Sequence, residues 1–438
     1  MLNRIFSKQL FLKKEYSKQF IEILFFGIIS ALPFVCLSSN IKLMLLDNNY
    51  TLEIATTILI AKSSYSLKFI WAPFLDYLRI PILHRMGKRK SWMFLTSVMI
   101  SLCLIVISFV NTENFYLIYI LSFFLGFFGS CFDISLDAFR IETIGELKQG
   151  YAASFYVIGY RIGIIIAGAG GLHISDEYSW GLTFLLTGFL VICSSLYIPF
   201  LQEKEKFRCN VEDAKKQKNS DVIVLPNYRS TLEKTVIMPF KDFFQREWSF
   251  LIIIGIISYK LCDVLLGTIS VPFYFELGYT KKQVVYIIKI FGFFATIFGS
   301  LIGAEIVRRK GNIKAMFICG ALQGLVNAVY IWLHYAVVQN FSLFITITLE
   351  NLAGGMGTVA LISYLSSICN KKHTATQFAL LSGAASLINN TIAAKSGAIV
   401  NILGWDLFFI FTILSAIPAV TIFIYIDTKV PIVQNRKR

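Results

Sequence analysis

The stretch Phe115–Arg140 reads FYLIYILSFFLGFFGSCFDISLDAFR. From Phe115 to Phe132 it carries no charged side chain. A helix crosses a hydrocarbon core of about 30 Å with about 20 predominantly apolar residues. The run meets that length and then ends in three charges, Asp133, Asp137 and Arg140. Their spacing of i, i+4 and i+7 puts them on one helical face. A charge at membrane depth costs about 2.5–3.5 kcal/mol on insertion scales and persists where it faces a cavity or a partner. The stretch reads as a membrane-spanning helix with one polar face.

Similar runs recur along the chain. The predicted spans, numbered 1 to 12, are 20–46, 53–77, 92–110, 115–140, 149–173, 180–200, 249–275, 283–306, 315–337, 341–369, 375–401 and 405–426. Those at 53–77 and 375–401 are the most polar. The first follows a basic lead and is too long for a signal-peptide core of about 7–15 residues, so it reads as an uncleaved span. Composition agrees: of 438 residues, 56% are hydrophobic and 15% charged, with a mean hydropathy of +0.67. Soluble domains keep about 25% charged. The expected fold is an all-α membrane protein, a 12-helix bundle of two six-helix halves. The expected segments are an N-terminus (1–19), a first bundle (20–200), a central loop (201–248), a second bundle (249–426) and a tail (427–438). In the central loop, IMPFKDFFQR (Ile237–Arg246) fits a short surface helix or a plain linker.

The termini and the loops after even-numbered spans, with Arg140 at the end of span 4, hold 32 Lys and Arg, while the opposite side holds only Lys42 near the end of span 1, Lys281 and Lys282. By the positive-inside rule both termini face the cytoplasm. This placement, in clusters between apolar runs, also explains the net charge of +15 without nucleic acid as a partner. The eight cysteines form no CxxC pair, and all but Cys209 lie in or beside apolar segments, so they read as core. There is no nucleotide-binding loop, HExxH motif or nucleophile elbow, and the four histidines are scattered. An enzyme, a cofactor and a metal site are therefore not expected. A carrier driven by an ion gradient is.

Several charges lie where charges are expensive. Asp133 and Asp137 in span 4 and Glu350 in span 10 are candidate proton-coupling groups. Asp137 and Arg140 are also placed to pair locally. Arg161 in span 5 offers a fork of donors for oxyanions, between Gly159 and Gly163, which permit close backbone approach. Pairing with Asp133 or Asp137 is its structural alternative. Lys68 in span 2 is a candidate anion site or a partner for a span-4 aspartate. Lys260 and Asp263 in span 7, at i and i+3, are a candidate ion pair, with Lys260 also a candidate binding group. Lys62, Lys289 and Lys395 are deep but carry no assigned role. The run Gly354, Gly355, Gly357 marks tight packing or a partly unwound stretch. A weak repeat links the halves. Asp76 closes span 2 before HRMGKRK (His84–Lys90), and Glu305 closes span 8 before RRKGN (Arg308–Asn312). Asp76, Arg85, Gly87, Arg89, Glu305, Arg308 and Gly311 are therefore candidate gating residues.

From about residue 20 to 425 the chain resembles the AmpG muropeptide permeases of the major facilitator superfamily. In the first half the resemblance rests on LKFIWAPFLD (Leu67–Asp76), DISLDAFR (Asp133–Arg140) and GYRIG (Gly159–Gly163). In the second half it rests on YKLCD (Tyr259–Asp263), VPFYFELGYTK (Val271–Lys281), LENLAGGMGTVALISYLSSICN (Leu349–Asn370) and TATQFALLS (Thr374–Ser382). Two positions depart. Phe132 stands where the family usually has Gln, and Ile141–Glu142 where it usually has Thr-Asp.

The resemblance implies proton-coupled import of anhydro-muropeptides across a bacterial inner membrane by a multi-pass protein, expected to be a monomer. Arg161 and Lys68 would meet substrate carboxylates, and Asn351 and Gln377 the sugar hydroxyls. The alternative is a carrier of the same fold for another anionic metabolite, such as a nucleotide, a coenzyme A ester or a sugar phosphate.

Overall fold

The computed structural model describes residues 14–81, 83–203 and 237–436. Among them there is no strand. Ten helices are long and apolar enough to cross a membrane: Ser17–Asp47, Lys88–Phe109, Phe115–Thr143, Glu146–Glu177, Trp180–Phe200, Ser249–Glu276, Lys281–Lys310, Asn312–Tyr335, Asn340–Ile368 and Ser396–Lys429. These are spans 1, 3 to 10 and 12, the last including the end of span 11. Spans 2 and 11 complete the twelve-helix bundle, and they are the polar, broken pair. Span 2 is interrupted by a 3-10 turn, Lys68–Ile70, before restarting at Ala72–Tyr77. Pro73 has no N–H to donate, so it favours a helix start at that point. Span 11 begins as Thr374–Ala393 and bends at Lys395. It ends at Gly404, whose φ of 74° and ψ of 170° break the helix before span 12.

Spans 1 and 5 each contain a π-helical turn, Cys36–Asn40 and Ile165–Gly170, and the two face each other. Asn40 Nδ2 donates to the Ala167 carbonyl at 2.9 Å across that contact. Lower on the same pair, a Cβ at Gly159 or Gly163 would collide with the carbonyls of Leu24 and Ile28. The expected close approach in GYRIG is therefore span 5 lying against span 1. In span 10, Gly355 meets the span-8 backbone at Thr296 and Gly357 meets Gln323. That run is a packing stripe inside a continuous helix, not an unwound segment.

The largest apolar core draws only on residues 26–201, and a second only on 265–409. Three clusters mix the halves: a second-half core that takes in Ile141 of the first half, and two smaller ones. One joins Phe20, Ile23, Ile144 and Tyr151 to Ala304 and Val359. The other joins Ala72, Leu75, Ile134 and Ala138 to Ala375 and Ala379. Both lie toward the end that carries the basic loops. The halves are thus sealed at the basic end and separate toward the other.

The stretch Ile237–Arg246 contains a short helix, Met238–Phe244. Phe243 is fully buried in the second-half core, while Met238 and Phe244 are exposed. Eight of the ten central-loop basic residues fall in 204–236, outside the described residues.

Candidate functional site

The deep charges form two groups, one at the floor of the cleft and one at the seal beneath it. Arg161 lies within electrostatic reach of Asp263 and Glu350 on the second half, yet its side chain is exposed. Both facts hold if solvent enters between the halves from the non-basic end. Arg161 does not pair with Asp133 or Asp137. Across the cleft, Lys260 Nζ donates to Asp263 Oδ2 at 2.6 Å and to Thr358 Oγ1 at 3.2 Å. Glu350 is half-buried and accepts the hydroxyl of Tyr330, which meets the Tyr274 hydroxyl at 2.6 Å. Lys62 sits with its ammonium 4.9 Å from the centre of the Phe34 ring.

On the first half Asp133 accepts the Ser30 hydroxyl and has Lys68 within electrostatic reach. The 3-10 turn in span 2 presents Lys68, which is buried under the Phe378 ring at 5.9 Å. Asp137 accepts from Arg140 Nη2 at 3.1 Å. Arg140 is fully buried and also donates to Gln149 Oε1 at 3.2 Å and to Ser366 Oγ at 3.1 Å. Ser366 and Phe378 belong to the second half, so Arg140 bridges the halves at the seal.

The seal has two carboxylate centres. Asp76 Oδ1 accepts from Arg89 Nη2 at 2.6 Å. Its Oδ2 accepts both the backbone N–H and the hydroxyl of Thr376 at 2.7 Å each, capping span 11 of the other half. Arg89 is 2% exposed and also donates to Glu142 at 2.6 Å. Glu203 accepts from the Arg89 backbone N–H at 3.2 Å, and its burial pushes that carboxyl up from its ordinary value. The second centre is Glu305, which accepts from Arg308 Nη2 at 2.5 Å, from Arg309 and from the Tyr151 hydroxyl at 2.6 Å. Tyr151 is on span 5, so this contact too crosses the halves. Gly87 and Gly311, with φ of 110° and 84°, turn the chain into spans 3 and 9 at corresponding places.

Some expected residues lie elsewhere. Gln377 is fully buried and bonded on both its polar atoms at the turn between spans 10 and 11, away from the cleft. Asn351 donates to the Ile347 carbonyl and accepts from Thr296 Oγ1 at 3.2 Å, tying span 10 to span 8. The Gln377 amide is not free for a sugar, whereas the half-buried Asn351 is engaged only in part. Arg85 is exposed and outside the ion network. Phe132 packs on Phe26 in the first-half core and does not line the cleft. The Lys289 side chain lies outside the described residues, and Lys395 is exposed. Sequence reading missed Ser30, Tyr330, Thr376, Tyr151 and Glu142. Only Glu142 carried a signal, an acid in a span-end turn beside Arg140.

Twelve spans in two halves, buried carboxylates and a seal with two carboxylate centres at one end define a multi-pass membrane transporter. The chain belongs to the Major Facilitator Superfamily, whose family model matches residues 23–387. Within that family it is similar to the AmpG proteins. It is 40% identical to AmpG 4 of Rickettsia conorii over 412 residues, covering 93% of this chain and 96% of that protein. It is 28% identical over 402 residues to the anhydromuropeptide permease of Escherichia coli K12, covering 90% of this chain and 77% of that protein.

Proposed function

We propose that the chain imports anhydro-muropeptides from periplasm to cytoplasm by proton-coupled alternating access, as a monomer with both termini in the cytoplasm. With the basic end cytoplasmic, the arrangement is open to the periplasm and sealed below. The observation that carries the reading is Arg161, solvent-reached at mid-span and facing Asp263 and Glu350 across the cleft. A substrate carboxylate would pair with its guanidinium. Asp133 and Glu350, each held by a hydroxyl, are the proton-coupling groups, and Asp137 holds Arg140 at the seal. The two six-helix halves then rock about this site.

The test is uptake of labelled anhydro-muropeptide into proteoliposomes that are acidic outside and negative inside, beside an Arg161→Ala control. Accumulation that is lost in the control supports the reading. One observation favours a second reading. Gln377 is engaged within the protein and Asn351 in part, which leaves the cations Arg161 and Lys62 as the more prominent binding groups. A folded protein that accumulates a nucleotide or sugar phosphate instead would establish that alternative.

A further inference from the structure

Residues 376 and 377 point in opposite directions. Thr376 gives its N–H and hydroxyl to Asp76 of the first half, both at 2.7 Å. Gln377 gives its amide to the short loop helix. Its Nε2 donates to Asp242 Oδ2 at 2.7 Å and to the Pro239 carbonyl at 3.2 Å. Its Oε1 accepts from the Asn370 N–H at 2.8 Å and from Arg246 Nη2 at 3.1 Å. Asp242 Oδ2 also accepts from Arg246 at 2.7 Å and from Asn370 Nδ2 at 3.3 Å. Arg246 reaches the Ile368 carbonyl, at the end of span 10. Phe243 anchors the loop helix by inserting fully into the second-half core.

We infer that Asp242, Arg246 and Gln377 are positioning residues for the gate: the end of the central loop clamps the first turn of span 11 so that Thr376 is presented to Asp76. A helix leaves its first N–H groups without intrahelical partners, and an unheld first turn frays. The clamp stiffens that turn from the second-half side. The Asp76 cap then finds its donors already aligned and favours the state closed at the basic end. The inference rests on the alternating-access reading but not on the identity of the solute.

The experiment reads the seal without transport. Cys369 is 9% exposed at this turn, with Arg246, Arg140 and Asp76 within electrostatic reach. In a background with Cys209→Ser and the exposed Cys193→Ser, its labelling by a membrane-impermeant maleimide is timed from the basic side of oriented vesicles. Gln377→Ala and the isosteric Asp242→Asn each raise the labelling rate about tenfold or more, the scale of a lost hydrogen bond to a charged group. Lys241→Ala, an exposed change on the same helix, leaves it unaltered. Combining Gln377→Ala with Asp76→Asn gives less than the product of the two effects, because both act on one cap. Thermal unfolding in detergent within a few degrees of the parent protein shows that each variant folds. Wild-type labelling in folded Gln377→Ala and Asp242→Asn variants, or full multiplicativity with Asp76→Asn, would overturn the clamp.

Discussion

The two carboxylate centres at the basic end occupy matching places in the two halves but are built differently. Asp76 is nearly enclosed. Its arginine is 2% exposed, shared with Glu142, and its second oxygen caps a helix of the opposite half. Glu305 holds two arginines that are 33% and 54% exposed, and it crosses to the other half through one tyrosine hydroxyl. Removing one partner of a buried pair costs about 3–5 kcal/mol, whereas exposed pairs contribute about 0–1 kcal/mol. One repeated sequence feature thus yields a strong lock and a weak one. Repetition of a motif does not carry repetition of its energy, because burial comes from neighbours that the motif does not contain.

The comparison breaks most visibly at Asp76. Asp76→Ala strands Arg89 beside Glu142 and uncaps span 11. Solute uptake in proteoliposomes is expected to fall roughly hundredfold, at the lower end of the buried-pair cost. Uptake within a factor of two of wild type would make the two centres equivalent. Glu142→Gln comes next. Arg89 keeps Asp76 but loses a charged acceptor, and uptake drops about tenfold. Glu305→Gln keeps an oxygen for Tyr151 and loses mainly exposed pairing, so uptake stays within about fivefold of wild type.

Salt sharpens the contrast further. At about 1 M ionic strength the screening length is about 3 Å. Cys369 labelling in high salt should follow the small Glu305→Gln change and not the large Asp76→Ala change.

The smallest expected effect is that of pH on the clamp. Burial alone would raise the Asp242 carboxyl, but the bonds from Arg246, Gln377 and Asn370 outweigh it and hold it below its usual 3.8. A group depressed in this way contributes above its unfolded value and is lost only as pH falls through the depressed one. Of the neighbouring groups, Arg246 pairs with Asp242 at 2.7 Å and His373 lies beside it. Burial holds His373 below its usual 6.5, so it is uncharged at neutral pH. The ratio of Cys369 labelling rates in Gln377→Ala and wild-type protein, in which the thiolate fraction cancels, should therefore be flat from about pH 7 to about pH 8.

The fold was legible because apolar length and basic-loop placement are properties of single segments. Even the breaks were foreshadowed, since spans 2 and 11 were the polar pair. The site was legible in part. The repeat of an acidic span end before a basic turn marked Asp76, Arg89 and Glu305, and the cost of a charge at membrane depth marked Arg161. Gln377 misled because an amide looks the same whether it faces a cavity or closes a turn. Ser30, Tyr330 and Thr376 were invisible for a related reason. A hydroxyl in an apolar helix is inexpensive, so its presence signals nothing until a partner from a distant helix is placed beside it.

The cap that Asp76 places on span 11 also makes one proton informative. The Thr376 amide hydrogen is protected from solvent by a carboxylate of the opposite half, not by its own helix. Its exchange with deuterium therefore requires this bond between the halves to break. A peptide carrying Thr376, followed by mass over time, would count openings of that contact in the protein at rest, with no substrate, label or gradient present.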